Sequence, residues 1–440
     1  MKTRFVRLAV GFLVAAPVLA ASRAAAQDAE PRPISLADAV ALAQRNAPAA
    51  IQALGAVRNG RAQVTSSLSQ FLPSIGLRAG MSKSSGATYF QGQLVPFEGD
   101  PWSQSRGYGA SLVLFDAGQR WFNYRAAQTG LEASEESRIS QNFSVAFSVK
   151  QQYFAVLAAR ESRAAADRQL EQAEQQLRVS TTRVQMGAVA RTDSLRSAIL
   201  VGNARVAIIA AQAALDDANV ALTRLVGTPY DVTAVAADTS AVPAMTMPRD
   251  SLLAMATHGP GVRAAEAQLA AAKMSRRAAK TTYLPTISAS YNFSTGRTSP
   301  DFTWGDGPGS RNTNLSLGAN YTLFGGYQRE QQLVQATVAE DNAEAQLRDA
   351  KAAARQNLLQ FYNAFRNADE TVRLQTLQVA VAEEDLQAQQ QRYAAGASAL
   401  VDLLTAQTTL ANARTALITA RAQARTAKAQ LETVVGRELP

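Results

Sequence analysis

The chain has 440 residues, 44 of them Lys or Arg against 35 Asp or Glu, for a net charge of +9, with a single His and no Cys. The absence of cysteine excludes disulfides and thiolate metal sites. With one His, no phosphate-loop glycine pattern and no metal spacing, the usual catalytic constellations are missing, so no enzyme, cofactor or metal site is expected. Basic residues are spread rather than clustered, which argues against nucleic acid as a partner.

Lys2, Arg4 and Arg7 precede an uncharged run from Leu8 to Ala21, and Ala24-Ala25-Ala26 follow. This pattern predicts a secretory signal peptide over residues 1–26. Its removal takes away four basic residues and no acid, leaving +5. Beyond it no uncharged apolar run of about 18 residues occurs, so no transmembrane helix is expected.

The rest of the chain is written twice. SQFLPSIGL around Pro73 answers TTYLPTISA around Pro285, and SLVLFDAG around Phe115 answers NYTLFGGY around Phe324. RVQMGAVARTDSLRSAILVGNAR from Arg183 answers RYAAGASALVDLLTAQTTLANAR from Arg392, with nine identities at one constant offset. Such duplication predicts two like structural units, over 34–227 and 249–436. Residues 228–248 lie between them, hold no Lys or Arg, and read as a linker.

After each proline the hydrophobic period becomes two. In the first copy Ile75, Leu77, Ala79 and Met81 alternate with small or polar residues, then Tyr108, Ala110, Leu112 and Leu114 do so. In the second, Ile287, Ala289, Tyr291 and Phe293 are followed by Leu315, Leu317, Ala319, Tyr321 and Leu323. Each copy therefore contributes two amphipathic strands, within about 74–115 and 286–324, long enough to cross a hydrocarbon layer when tilted. The Gly, Pro, Ser and Asp-rich segments between them read as exposed turns.

A helical hairpin follows in each copy, over about 119–226 and 327–435. Tyr327 to Ala395 has neither Gly nor Pro, and Leu358, Phe365, Val372, Val379, Leu386 and Tyr393 recur every seven residues. The first copy matches with Val149, Val156, Arg163, Leu170, Leu177 and Val184, so coiled-coil packing is expected. A helix of that length spans roughly 100 Å. Gly187 and Gly396 end the long helices, because glycine accepts the left-handed conformation of a helix C-terminus. Each long helix thus lies against two shorter stacked ones, with strands at one end and a glycine tip at the other. Four strands cannot close a barrel in lipid, so a membrane-inserted form must oligomerise.

These motifs, in duplicate and in this order, resemble the TolC family of outer membrane efflux proteins. The resemblance runs from Ile34 to Gly436 and is carried by ISLADAVALAQRNAP, the weaker MPRDSLLAMATHGPGV, the Leu-Pro and Leu-Phe pairs flanking each hairpin, the glycine tips and the two Asn-Ala-Arg motifs. It implies a mainly α fold with a β-barrel part. A homotrimer would form a twelve-stranded barrel in outer membrane lipid and an α-helical barrel crossing the periplasm. It further implies the exit duct of a tripartite efflux pump or type I secretion system, partnered by a periplasmic adaptor and an inner membrane transporter of RND, ABC or MFS type. The family's periplasmic gate maps onto Asp402, with polar contacts at Thr192, Asp193 and Tyr393. Adaptor docking maps onto Gly187, Ala188, Gly396 and Ala397. Thr405 and Ser398 stand where the family has a second acid and an arginine, implying fewer ionic links at the closed end.

Plainer roles compete at several of these positions. Asp193 and Asp402 open helices, where the helix dipole favours a carboxylate. Tyr393 continues the heptad seam. Asn203 with Arg205 and Asn412 with Arg414 read as contacts between helices, and His258 as a turn residue. The alternative to a duct is an exported coiled-coil binding or structural protein, which accounts for the heptads but not for four alternating strands.

Overall fold

The computed structural model describes residues 31–83, 85–96, 102–187, 189–235, 247–299, 301–302, 304 and 309–439. The expected signal peptide lies outside these residues, as does Ala188 of the first tip.

A short strand, β1 (Arg32–Ile34), leads into α1 (Leu36–Asn46) and α2 (Pro48–Ser69). Ser35 caps α1: its hydroxyl oxygen accepts from the Asp38 N–H at 3.1 Å, satisfying a donor that the first helical turn leaves free. Pro48 opens α2 at a position where a missing N–H is harmless. Strand β2 (Ser74–Lys83) follows, then β3 (Ala87–Phe90), β4 (Gln93–Pro96) and β5 (Trp102–Phe115). Helix α3 (Gln119–Gln185) runs down to the first tip and α4 (Arg191–Val226) returns, followed by β6 (Val232–Ala234). The second copy gives α5 (Arg249–Ala256), α6 (Pro260–Thr281), β7 (Thr286–Ser299), β8 (Ser310–Asn320), α7 (Gln328–Ala394) and α8 (Leu400–Val435). Both long helices are 67 residues and both return helices 36.

Two expectations change. The linker over 228–248 is not wholly a connector, because β6 falls within it and pairs in parallel with β1, Ile34 opposite Ala234. Val232 and Ala234 are buried, and the Tyr153 hydroxyl on α3 donates to the Ile34 carbonyl at 3.1 Å, so apolar burial draws this segment onto the helices. The segment between β2 and β5, read as an exposed turn, carries the small β3–β4 hairpin.

One sheet, in the order β2-β5-β7-β8, joins the strands of both copies, and every neighbouring pair is antiparallel. Its register sorts the side chains by face. Ile75, Ala110, Tyr291 and Leu315 stand in one row, and Leu77, Tyr108 and Phe293 in the next. The other face carries Ser74, Ser111, Ser290 and Ser316, whose hydroxyls pair across the strands at 2.7 Å (Ser74 with Ser111, Ser290 with Ser316). The apolar face is bare: Ile75, Leu77, Leu315 and Leu317 are each more than two-thirds exposed.

Below the sheet α2, α3, α6 and α7 pack side by side, and further down the order is α4, α3, α8, α7. Two buried clusters mark the middle of the molecule. Val149, Val156, Leu222 and Val226 belong to the first; Leu358, Phe365, Leu431 and Val435, their counterparts in the second copy, belong to the second. The salt bridges repeat in the same way: Arg205 to Glu174 at 3.3 Å and Arg414 to Glu383 at 2.7 Å tie each return helix to its long helix. Between the copies Lys150 on α3 pairs with Glu432 on α8 in a largely buried site.

Candidate functional site: helical tips and open edges

At the tips the backbone turns through Gly187 and Gly396, with φ of 70° and 76°. A Cβ at either would meet nothing within 4 Å, so the requirement for glycine is conformational rather than steric. Met186 beside the first glycine is 68% exposed, an apolar side chain presented at the extremity of the molecule. Nothing in the sequence pattern singles it out.

Tyr393, one turn above Gly396, is buried, and its hydroxyl has no hydrogen-bond partner among the described residues. Of the polar contacts expected at Thr192, Asp193 and Tyr393, none is made by the Tyr393 hydroxyl among the described residues of one chain. Arg183 of the other hairpin holds this position instead. Its guanidinium lies 4.8 Å from the Tyr393 ring centroid and donates to the carbonyls of Tyr393 at 3.0 Å and Ala394 at 2.7 Å. A cation on the last carbonyls of α7 also complements that helix's dipole. The duplication flags Arg183 as a repeated residue, but its counterpart Arg392 is exposed, so identity alone does not separate their roles.

Asp402 is exposed in the first turn of α8, and its Oδ2 accepts from the Ala399 N–H at 3.2 Å. Asp193 sits at the matching position of α4, half-buried, and Thr192 beside it is exposed. His258 lies in the turn between α5 and α6, its Nδ1 3.0 Å from the Ala254 carbonyl oxygen.

The two lateral edges form the second candidate site. On one side β2 has a free strand edge; beneath it α2 exposes Ile51, Leu54 and Leu68, and α4 exposes Leu195, Ile199, Val206, Ile209 and Val220. On the other side β8 has a free edge, and α7 exposes Val334, Val338, Leu374, Leu377 and Val381. The α4 residues follow alternating steps of three and four through Gly202, Ala213 and Asp216, a coiled-coil seam with no partner among the described residues. By length and composition α4 is apolar enough to cross a membrane, although it carries charges that kept it from qualifying as an uncharged run.

Comparison with known proteins agrees with this geometry. The family model described as outer membrane efflux protein matches residues 39–228 and 255–437. The pyoverdine export outer membrane protein OpmQ of Pseudomonas aeruginosa is 26% identical over 320 residues, 70% of this chain; the match spans 64% of that protein's length. Among solved structures, the outer membrane protein VceC of Vibrio cholerae superposes with a TM-score of 0.74 at 16% identity, covering 92% of this chain and 97% of its own. The open-state MtrE outer membrane channel of Neisseria gonorrhoeae gives 0.74 at 22% identity, covering 91% and 89%. The chain belongs to the outer membrane efflux protein family and carries that family's fold, an α-helical barrel part joined to a β-barrel part.

Proposed function

We propose that three copies of this chain close into a continuous duct, the exit channel of a tripartite efflux pump or type I secretion system. The observation that carries the reading is that both lateral edges are unfinished from top to bottom. Because β2 and β8 run antiparallel, joining β8 of one copy to β2 of the next continues the alternation of the sheet. The same step brings the apolar ridge of α7 against those of α2 and α4. Such a head-to-tail interface closes into a ring when its rotation permits, and three copies give twelve strands with no open edge in lipid. The bare apolar face of the sheet then meets hydrocarbon, and its serine face lines the lumen.

At the periplasmic end Asp402, with Asp193, Thr192 and Tyr393, forms the gate. The tips around Gly187, Ala188, Gly396 and Ala397 dock the adaptor that links the duct to an inner membrane transporter. The relative named for pyoverdine export favours small-molecule cargo. The alternative, an exported coiled-coil binding protein, leaves the exposed faces of β2 and β8 in water, where leucines more than two-thirds exposed have no purpose.

Deleting residues 286–323 tests the duct. The truncated chain should form no heat-modifiable trimer in outer membrane fractions, and a stable membrane trimer would refute the barrel. Gly396→Glu tests docking: trimers should persist while export is lost, and normal export would remove the tip from the adaptor interface.

A further inference from the structure

The four sheet strands hold no Asp or Glu, and their charged residues are Arg78, Lys83, Arg106, Arg297 and Arg311. Register places all but Arg78 on the apolar face. Arg106, Thr295 and Arg311 form the row directly beyond Leu77, Tyr108 and Phe293, and Arg297 is one step further along β7. Arg297 therefore lies diagonal to both Arg106 and Arg311, two strands that are ~10 Å apart. Below them the Tyr108 and Phe293 rings stack at 5.1 Å. A groove of about 550 Å³ is lined by Leu77, Arg78, Arg106, Tyr108, Phe293, Thr295 and Arg311, an apolar floor with a cationic upper rim.

The height of this rim follows from the strands. Exposed apolar residues next to the helices include Leu72, Leu284, Leu323 and Phe324. From Thr286 to Arg297 strand β7 advances ~36 Å at strand rise, or ~28 Å of height at the usual tilt, just past the thickness of a barrel's apolar band. Arg297 and Arg311 thus stand at the headgroup level of the leaflet remote from the helices. With the helices in the periplasm, that is the outer leaflet, whose lipids are phosphorylated glycolipids.

We propose that Arg297 and Arg311, with Arg106 beside them, form a binding site for the phosphates of an outer-leaflet glycolipid, one of whose acyl chains lies in the groove over Leu77, Tyr108 and Phe293. Guanidinium suits this task because its planar fork bonds phosphate oxygens in pairs. The site rests on the membrane-barrel reading above, since only that reading turns this face toward lipid.

The test uses full-length trimers in nanodiscs of phosphatidylethanolamine containing a small fraction of lipid A, with retained lipid A counted per trimer by native mass spectrometry. Wild type and Arg297→Lys/Arg311→Lys should retain lipid A, while Arg297→Gln/Arg311→Gln should bind it about tenfold more weakly. Arg58→Gln, exposed on α2 away from the sheet, should match wild type. Lipid A stripped of its phosphates should be retained no better by wild type than by the double glutamine variant. Equal retention of intact lipid A by wild type and the double glutamine variant overturns the site, as does an equal loss in Arg58→Gln. Failure of the barrel reading shows itself separately, as a wild-type chain that forms no heat-modifiable trimer before any lipid is counted.

Discussion

Arg183 on α3 reaches across to α7, lays its guanidinium 4.8 Å from the ring of Tyr393 and bonds that residue's own carbonyl at 3.0 Å. The contact is a direct polar clasp between the two hairpins at the tips, and it joins residues 210 positions apart. Two charge-assisted hydrogen bonds and a cation–π contact at a partly exposed site amount to about 2 kcal/mol. Arg183→Ala should therefore loosen the tips, raising resting conductance in planar bilayers and sensitising cells to large antibiotics. Arg183→Lys, which keeps the charge but not the fork, should lie between the two. Unchanged conductance in Arg183→Ala would mean that the clasp does not govern opening.

Asp402 carries two candidate roles that one substitution separates. Its carboxylate accepts from the Ala399 N–H, so Asp402→Ala should weaken the start of α8 by about 0.5–1 kcal/mol. In a trimer the same carboxylates would face one another, each pair repelling by ~0.7 kcal/mol in water-like dielectric or ~3 kcal/mol at an effective value near 20. Such a ring attracts cations. Asp402→Asn keeps an oxygen for the Ala399 N–H and removes the charge. It should fold as wild type yet lose block by di- and trivalent cations added from the periplasmic side. Full block in Asp402→Asn would leave Asp402 as a helix cap alone.

Much of this architecture was legible because it is periodic. The alternation of Ile287, Ala289, Tyr291 and Phe293 marks β7, and the seven-residue recurrence from Leu358 to Tyr393 marks α7, where Leu358, Phe365, Leu386 and Tyr393 are buried. Positive φ at Gly187 and Gly396 follows from their place between two helical patterns. What stayed hidden is short or nonlocal. Strand β6 has three residues, too few for a period, and its partner β1 lies at the opposite end of the first copy. Arg183 looks like any charge on a long helix until the two hairpins are side by side. Met186 gave no signal because a single exposed apolar side chain is ordinary; its position at the extremity is what sets it apart.

The buried charges between the copies give a pH dependence with a definite sign. Burial lowers the pKa of Lys428 below 10.5; Glu432 partly offsets this, and Lys150 adds to it. The folded state thus holds this proton less tightly than the unfolded chain. The destabilisation is complete below the folded pKa, and stability recovers as pH rises from there toward 10.5. Tyr153 acts the other way: burial raises its pKa above 10.0, so its ionisation at higher pH favours unfolding. Comparing wild type with Lys428→Met cancels the tyrosine. The gap in trimer melting temperature should narrow as pH climbs toward the lysine's unfolded value, and a gap independent of pH would contradict the assignment.

The α4 ridge decides how copies meet. Val206 and Ile209 are 66% and 70% exposed in the single chain, as are Val381 and Leu377 on α7 at 59% and 62%. Helix α4 leaves the tip at Arg191 and α7 reaches it at Ala394, so Ile209 and Leu377 stand at nearly the same depth on opposite edges. Burying one such side chain is worth about 1.5–3 kcal/mol, and a closed ring buries each ridge once per interface. Ile209→Glu should accordingly shift the protein from trimer toward monomer in detergent. The chain has no cysteine, so engineered pairs report geometry cleanly. Ile209→Cys combined with Leu377→Cys should crosslink into a ladder that stops at three chains. Ile209→Cys alone should stay uncrosslinked, because a head-to-tail ring never brings α4 against α4. A crosslinked dimer from Ile209→Cys alone would show a two-fold interface, and a ladder running past three would show that the ring does not close where proposed.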